Sequence, residues 1–160
     1  MFEWLTATFI GKIIMTMAVS AVPVVELRGG IPYGVVQGLP IWVAYLASVV
    51  GNLIPIPIIL LFLNKVFDWM RSYEKLAHIV RKLEAKAHLQ GKKVTKYKKL
   101  GLMILVAIPL PGTGAWTGAL VATVLEIPPR EAIAPIIWGV VVAGVLVTIA
   151  TFGVSSLFAL

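Results

Sequence analysis

A short stretch near the start of the chain places an acid and an arginine among glycines and prolines in otherwise apolar sequence. It reads "VPVVELRGGIPYG" over residues 22–34, with Glu26 and Arg28 as its charged residues. Charges at membrane depth cost several kcal/mol and usually pair or serve function. A glutamate there can carry a proton, and an arginine can hold an anion.

A second stretch, "PLPGTG" over residues 109–114, has the same broken character without a charge. Gly112 and Gly114 give the backbone room, and the apolar segment after them predicts a half-helix. The free N–H groups and the positive dipole end of such a helix suit an anion, and the segment from Gly29 offers the same. We therefore predict an anion site made by two helix N-termini and Arg28, with Glu26 as proton carrier or as the partner of Arg28.

The predicted site residues share a position at one of these two breaks. The substrate-binding or coupling residues are Glu26, Arg28, Gly29, Gly30, Pro109, Pro111, Gly112, Thr113 and Gly114, and the candidate cavity-lining residues are Asn52 and Trp116. Two plainer interpretations stay open at this stage. Glu26 and Arg28 could form a structural ion pair, and "PGTG" could be an ordinary tight turn.

The composition predicts a membrane protein. Of the 160 residues 59% are hydrophobic and 13% are charged, against about 25% charged in soluble domains. Residues 41–63 and 132–160 are apolar runs long enough to cross a bilayer. The N-terminus lacks the basic start of a signal peptide. We treat residues 1–160 as a single membrane domain.

The positive charge is concentrated between the apolar blocks, in residues 65–99, which carry a net charge of +8 from eleven Lys/Arg and three acids. Apolar residues there recur every three or four positions, which predicts an amphipathic helix. The positive-inside rule places this connector in the cytoplasm, where it can contact anionic lipid headgroups. We expect membrane lipids as partners and no nucleic acid.

The two ends of the chain form an internal repeat. Residues 21–23 match residues 107–109, Leu39-Pro40 matches Ile127-Pro128, and Gly51 matches Gly139. The glycine pair Gly30/Gly34 matches Gly114/Gly118. Each half reads as two short apolar limbs around a Pro/Gly break, then a proline turn and a full span.

The repeat predicts the fold class: an all-α integral membrane protein with two inverted repeats. Each repeat is a re-entrant helical hairpin plus a transmembrane helix. Repeat 1 covers residues 1–64, the basic amphipathic connector residues 65–99, and repeat 2 residues 100–160. With the connector inside, the hairpins enter from opposite faces and their tips meet near the midplane, as in many transporters. The alternative is that residues 5–22 cross the membrane completely.

The segments "ELRGGIPYG" and "PLPGTGAWTG", in this order around a basic connector, resemble the small multidrug export protein family. More distantly, the pattern resembles the DedA superfamily (SNARE-associated-like), whose members have inverted re-entrant hairpins. That resemblance implies lipid movement, including that of polyprenyl-phosphate carriers, and proton coupling. It implies that Glu26 and Arg28 belong to the acidic-basic motif of the first hairpin, and Pro109, Pro111 and Gly112 to the second. DedA proteins carry further acids and arginines in their hairpins, which the second tip here lacks.

These observations predict a transporter in the cell (plasma) membrane, the inner membrane of the cell. Its substrate is an anionic or phosphate-bearing, lipid-like molecule bound between the tips, with proton coupling as an option. We expect a homodimer, because one copy scarcely encloses a cavity. The alternatives are proton-coupled export of cationic drugs through Glu26 and a non-transporting membrane scaffold. We expect that the protein is not an enzyme and that it binds no metal or cofactor, because the chain has no cysteine and no catalytic or metal-ligand motif.

Overall fold

A computed structural model describes residues 7–72, 95–110 and 112–158, and within these ranges the chain forms helices and turns without a strand. Most of the predicted connector helix, residues 73–94, lies outside the described residues. The helices are α1 (Phe9–Ala21), α2 (Glu26–Val36), α3 (Ile41–Leu53), α4 (Ile56–Arg71), α5 (Thr95–Ala107), α6 (Ala115–Val124) and α7 (Pro129–Phe158).

Two stretches are long and apolar enough to cross a membrane, Ile41–Leu63 and Pro129–Gly153. The first is interrupted at residues 54–55, between α3 and α4, where Pro55 cannot donate a backbone hydrogen bond. The helices α1, α2, α5 and α6 have 10 to 13 residues. They are therefore about 15–20 Å long, shorter than a bilayer core of about 30 Å.

The helices pack as two groups of three. In the first triad, α1, α2 and α3 contact one another, and in the second triad α5, α6 and α7 do the same. The triads join crosswise, because α2 packs on α7 and α6 packs on α4. The largest core cluster lies along these contacts and includes Leu27, Ile56, Leu60 and Ile136.

The proline turns before the two spans have matching hydrogen bonds. The Leu39 N–H donates to the Gly34 carbonyl at 3.0 Å, and the Ile127 N–H donates to the Ala122 carbonyl at 2.9 Å. Each turn passes through the left-handed region, at Gly38 (φ 82°) and at Glu126 (φ 54°). Both are Schellman-type helix ends, so the two turns are alike in their hydrogen bonds, while the predicted repeat stays a prediction.

Glycines mark where helices of each triad approach most closely. Gly51 lies directly against the Met17 backbone, and a β-carbon at Gly139 would lie 2.8 Å from the Met103 carbonyl oxygen. The two glycines are thus alike in lying against the backbone of a neighbouring helix.

The helix α2 corresponds to α6 in a register that is shifted by one turn from the register predicted by the glycine pairs. A β-carbon on Gly30 would meet the side chains of Ser20 and Ser48, whereas one on Gly118 would meet Val106 and Ile136. Gly30 is therefore equivalent to Gly118, not to Gly114. The turn hydrogen bonds likewise pair Gly34 with Ala122. The small-xxx-small spacing misled the sequence comparison because it recurs along one helix face.

Candidate functional site

The two predicted breaks are in contact. Residues 22–25 join α1 to α2, and residues 108–114 lie between α5 and α6. Glu26 and Arg28, at the start of α2, both hydrogen-bond to residues at or just after the second break. The first half of the chain thus supplies both charges at this junction, and the second half supplies a broken backbone.

Glu26 occupies the N-terminus of α6. Its side chain is 4% exposed, and Oε1 accepts a hydrogen bond from the Trp116 N–H at 3.2 Å. A helix N-terminus has unpaired N–H groups and a positive partial charge, both of which a carboxylate satisfies. The sequence predicted this helix end as a place for a substrate anion, and the structure places the protein's own carboxylate there.

Gly114 makes this arrangement possible. A β-carbon at this position would overlap the Glu26 carboxylate, and its φ of 139° is one that L side chains rarely adopt. Gly114 also has no side chain that could cap α6. The glycine therefore admits the glutamate as a cap from another helix.

Arg28 binds the other side of the same break. Its Nη2 donates to the Thr113 carbonyl, to Thr113 Oγ1 at 2.9 Å and, at 3.5 Å, to the Ile108 carbonyl. These oxygens follow the C-terminal end of α5, where the helix dipole is negative. A guanidinium suits this place because it donates several hydrogen bonds in a fixed plane.

Thr113 closes the loop that Arg28 contacts. Its Oγ1 lies 2.6 Å from the Ile108 carbonyl oxygen and 2.8 Å from that of Leu110, and it accepts from the Leu110 N–H at 3.2 Å. Thr117 Oγ1 adds a bond to the Gly112 carbonyl at 2.9 Å. Broken backbone at membrane depth needs such internal partners.

Glu26 and Arg28 form no ion pair with each other in the described part of the chain, whereas Lys99 and Glu131 do. The two charges are close enough to attract, but their hydrogen bonds go to opposite ends of the second break. The interpretation as a structural ion pair is therefore replaced by two separate caps. Among described residues, the hydrogen bonds of the guanidinium involve Nη2, which leaves Nη1 and Nε unused.

An open groove of about 520 Å³ lies beside Arg28. It runs between α2 and the C-terminal half of α7, and its other lining residues are Pro32, Val35, Val36, Pro109, Leu146, Val147, Ala150 and Thr151. Its wall is apolar apart from Arg28 and Thr151. The Thr151 hydroxyl donates within its own helix, to the Val147 carbonyl at 2.8 Å.

The backbone before Arg28 is strained. Val24 and Glu26 have φ of 76° and 48°, which cost roughly 1–2 kcal/mol each for L residues. The helix α2 begins at Glu26. Its N-terminal N–H groups therefore precede Gly29, whereas the sequence predicted the helix N-terminus at Gly29. This strained turn aims the Glu26 side chain at α6, and such strain concentrates at functional sites.

The remaining predicted residues have different surroundings. Gly29 faces Val25, the residue that precedes α2, Gly30 packs on α1 and α3, and Gly112 is exposed with φ of 83°. Pro109 lines the groove, and Pro111 lies outside the described residues. The Trp116 Nε1 is buried without a hydrogen-bond partner among the described residues.

Asn52 is fully buried and lines a small enclosed space together with Glu26 and Arg28. Its amide nitrogen and oxygen have no hydrogen-bond partner in the described part of the chain, and the same holds for the hydroxyls of Ser20 and Ser48. Each unpaired buried group costs roughly 1–3 kcal/mol. Sequence reasoning missed the two serines, although their spacing carries a signal. Thr16 and Ser20, and likewise Ser48 and Asn52, lie four residues apart on apolar helices.

A family model described as "Putative small multi-drug export protein" matches residues 26–146. The match begins at Glu26, directly after the residues that join α1 to α2, and includes the second break and the second span as far as Leu146. No curated protein and no solved structure matches the chain.

Proposed function

Since the chain belongs to the small multi-drug export protein family, we propose that it is a membrane transporter whose substrate is an anionic amphiphile. The family and the two apolar spans indicate a membrane export protein rather than an enzyme. The finer proposal covers the substrate, the site and the coupling. It places the anionic head of the substrate on the free edge of Arg28 and the apolar tail in the groove beside it.

The observation that carries the proposal is the position of Arg28. Its guanidinium lies at an apolar groove, and its hydrogen bonds go to uncharged oxygens. No acid among the described residues forms an ion pair with Arg28. A cation in this state, next to apolar surface, attracts an anion with a hydrocarbon part. Arginine also binds phosphate and carboxylate with two parallel N–H groups, and the unused Nη1 and Nε could do so here.

Glu26 is the proposed coupling residue. Its carboxylate caps α6, so protonation would weaken the hold of α2 on the second break. The two breaks could then move relative to each other as the substrate passes. Export of cationic drugs through Glu26 is less well supported, because this carboxylate is 4% exposed and already bound to Trp116.

The topology proposed for this function keeps the two inverted repeats and the re-entrant hairpins in the plasma membrane. The crosswise contacts of α2 with α7 and of α6 with α4 support the repeat. The cytoplasmic side of residues 65–99, their contact with anionic headgroups and a homodimer are parts of the same proposal. The scaffold alternative predicts no flux of any substrate.

Binding of dodecyl phosphate to the full chain in nanodiscs tests the proposal. We expect binding to the wild type, and loss of binding in Arg28→Gln and in Ala150→Trp, which fills the groove without touching Thr113. The matched control is Val145→Trp, because Val145 is exposed on α7 but does not line the groove. Inorganic phosphate should bind far more weakly, since it lacks the tail.

Transport is tested with a fluorescent dodecyl phosphate in proteoliposomes, where reduction of the dye from outside reports its movement between leaflets. The wild type and Val145→Trp should move the probe, and Ala150→Trp should not. Equal binding of dodecyltrimethylammonium, or unchanged binding in both Arg28→Gln and Ala150→Trp, would contradict the proposal.

A further inference from the structure

A line of polar side chains runs through the interior of the first triad. On α1, Lys12, Thr16 and Ser20 lie one turn apart, and on α3, Ser48 and Asn52 lie one turn apart. Residues four apart share one face of a helix. Thr16, Ser20, Ser48 and Asn52 are all 0% exposed.

The contacts of α2 show that these side chains follow one another. A β-carbon on Gly38 would lie 3.9 Å from Lys12 Nζ, and one on Gly34 would lie 3.1 Å from Thr16 Oγ1. One turn further along α2, Gly30 lies against the hydroxyls of both Ser20 and Ser48.

The last step of the line is from Asn52 to Glu26, which line the same enclosed space. The line therefore extends from Lys12, at the Gly38 end of α2, to Glu26, at its other end.

The Thr16 hydroxyl donates within its own helix, to the Lys12 carbonyl at 2.8 Å, but the other buried side chains of the line are not used by the fold in this way. The hydroxyls of Ser20 and Ser48 and both amide atoms of Asn52 lack hydrogen-bond partners among the described residues. The equivalent positions of the second triad are the apolar residues Leu102, Val106, Ile136 and Val140. Helix packing of this type thus does not require polar side chains at these positions.

We propose that this line is the route by which protons reach Glu26 from the Lys12 end of the first triad. The proposal rests on the role of Glu26 as proton carrier in the proposed function. A proton from a hydronium ion passes along water and hydroxyl oxygens and forms an O–H bond on the carboxylate. When Glu26 ionises again, this O–H bond breaks and the proton returns to water as a hydronium ion.

The arrangement favours a route over a single ion site. The polar groups extend along three helical turns, whereas ligands of one cation surround a point. Glu26 faces Arg28 from α2, the Trp116 N–H from α6 and Asn52 from α3. The space between Asn52 and Glu26 admits no water molecule in the described conformation, so proton transfer requires a local opening there.

The experiment is a pH jump on the full chain in nanodiscs, followed by the infrared carbonyl band of a protonated carboxyl group. Loss of the band in Glu26→Gln assigns it. We expect Ser48→Ala and Asn52→Leu, singly and together, to slow its appearance, the pair by about tenfold or more. Ser48→Ala is the smallest change, so it keeps the test informative if the double variant does not fold.

The matched control is Thr123→Val, a buried hydroxyl of α6 away from the line that bonds to the Ala119 carbonyl at 3.0 Å. It should leave the rate unchanged. Rates equal to wild type in both line variants, or equal slowing in Thr123→Val, would overturn the route. So would stabilisation of the wild type, but not of Asn52→Leu, by sodium ions, which would indicate an ion site.

Dodecyl phosphate binding on the same samples separates the two proposals. The line variants should bind it as the wild type does, since Ser48 and Asn52 do not line the groove. Loss of the proton route with intact binding supports the route, and intact proton uptake without any binding would reject the substrate proposal alone.

Discussion

At four positions that correspond by their helix contacts, the two triads bury opposite kinds of side chain. The first triad buries Thr16, Ser20, Ser48 and Asn52, and the second buries Leu102, Val106, Ile136 and Val140. The helix contacts and turns around them are alike. The second triad shows that this arrangement of helices does not need polar side chains at these four positions. The polar groups of the first triad that lack partners among the described residues therefore lower its stability without being required for its packing.

The same contrast holds at the breaks. The first break carries Glu26 and Arg28, and the second carries glycines and a threonine that receive them. Each half is incomplete alone, because the charges need partners and the broken backbone needs caps. The difference between the halves is thus what joins them.

The largest expected effect comes from closing the space that receives Glu26. Gly114→Ala places a methyl group in the carboxylate and strains a φ of 139°. It should lower the free energy of unfolding by about 3 kcal/mol or more, measured by denaturant unfolding in mixed micelles. Gly101→Ala is the control, since a β-carbon there meets nothing within 4 Å. Equal stability of the two variants would refute this view of the junction.

The second triad should not tolerate the interior of the first. Val140→Asn puts the counterpart of Asn52 at a position that is 0% exposed. The unpaired amide and the lost apolar contact should destabilise by about 2–4 kcal/mol in the same unfolding assay. A neutral result would mean that Asn52 and Val140 are not equivalent.

The reverse change should stabilise the first triad. Asn52→Leu keeps the branched shape of the side chain and removes two polar atoms that have no hydrogen-bond partner among the described residues, so stability should rise by about 1–2 kcal/mol. Proton uptake at Glu26 should slow in the same variant. A loss of stability would show that Asn52 has partners that matter to the fold.

The smallest effects concern the matched turns. Gly38 and Glu126 both have positive φ, so Gly38→Ala should destabilise by about 1 kcal/mol and Glu126→Gly should stabilise by a similar or smaller amount. Thermal unfolding of the two variants measures both. The same sign for both would contradict the equivalence of the turns.

The sequence predicts the positions of the breaks well, because proline and glycine act locally. It also predicts that Arg28 meets the second break, since the repeat and the cost of a charge at depth leave few alternatives. It does not predict that Glu26 fills the N-terminus of α6. This contact depends on the direction of the Glu26 side chain in the first half and on the position of α6 in the second half.

The polar interior was missed for a different reason. Serine and threonine are common in apolar helices, where they bond to the preceding turn. These polar residues become informative only through comparison with the second triad, whose equivalent positions are apolar. That comparison needs the register of α2 on α6, which the structure shifts by one turn from the one predicted by the glycine pairs.

A double-mutant cycle of Arg28→Met and Thr113→Val tests most directly whether the first break caps the second. The account predicts that the two changes are coupled by about 1.5–3 kcal/mol in the free energy of unfolding, as for a hydrogen bond to a charged group. Effects that add to within about 0.5 kcal/mol would contradict it, because they would show that Arg28 and Thr113 act independently.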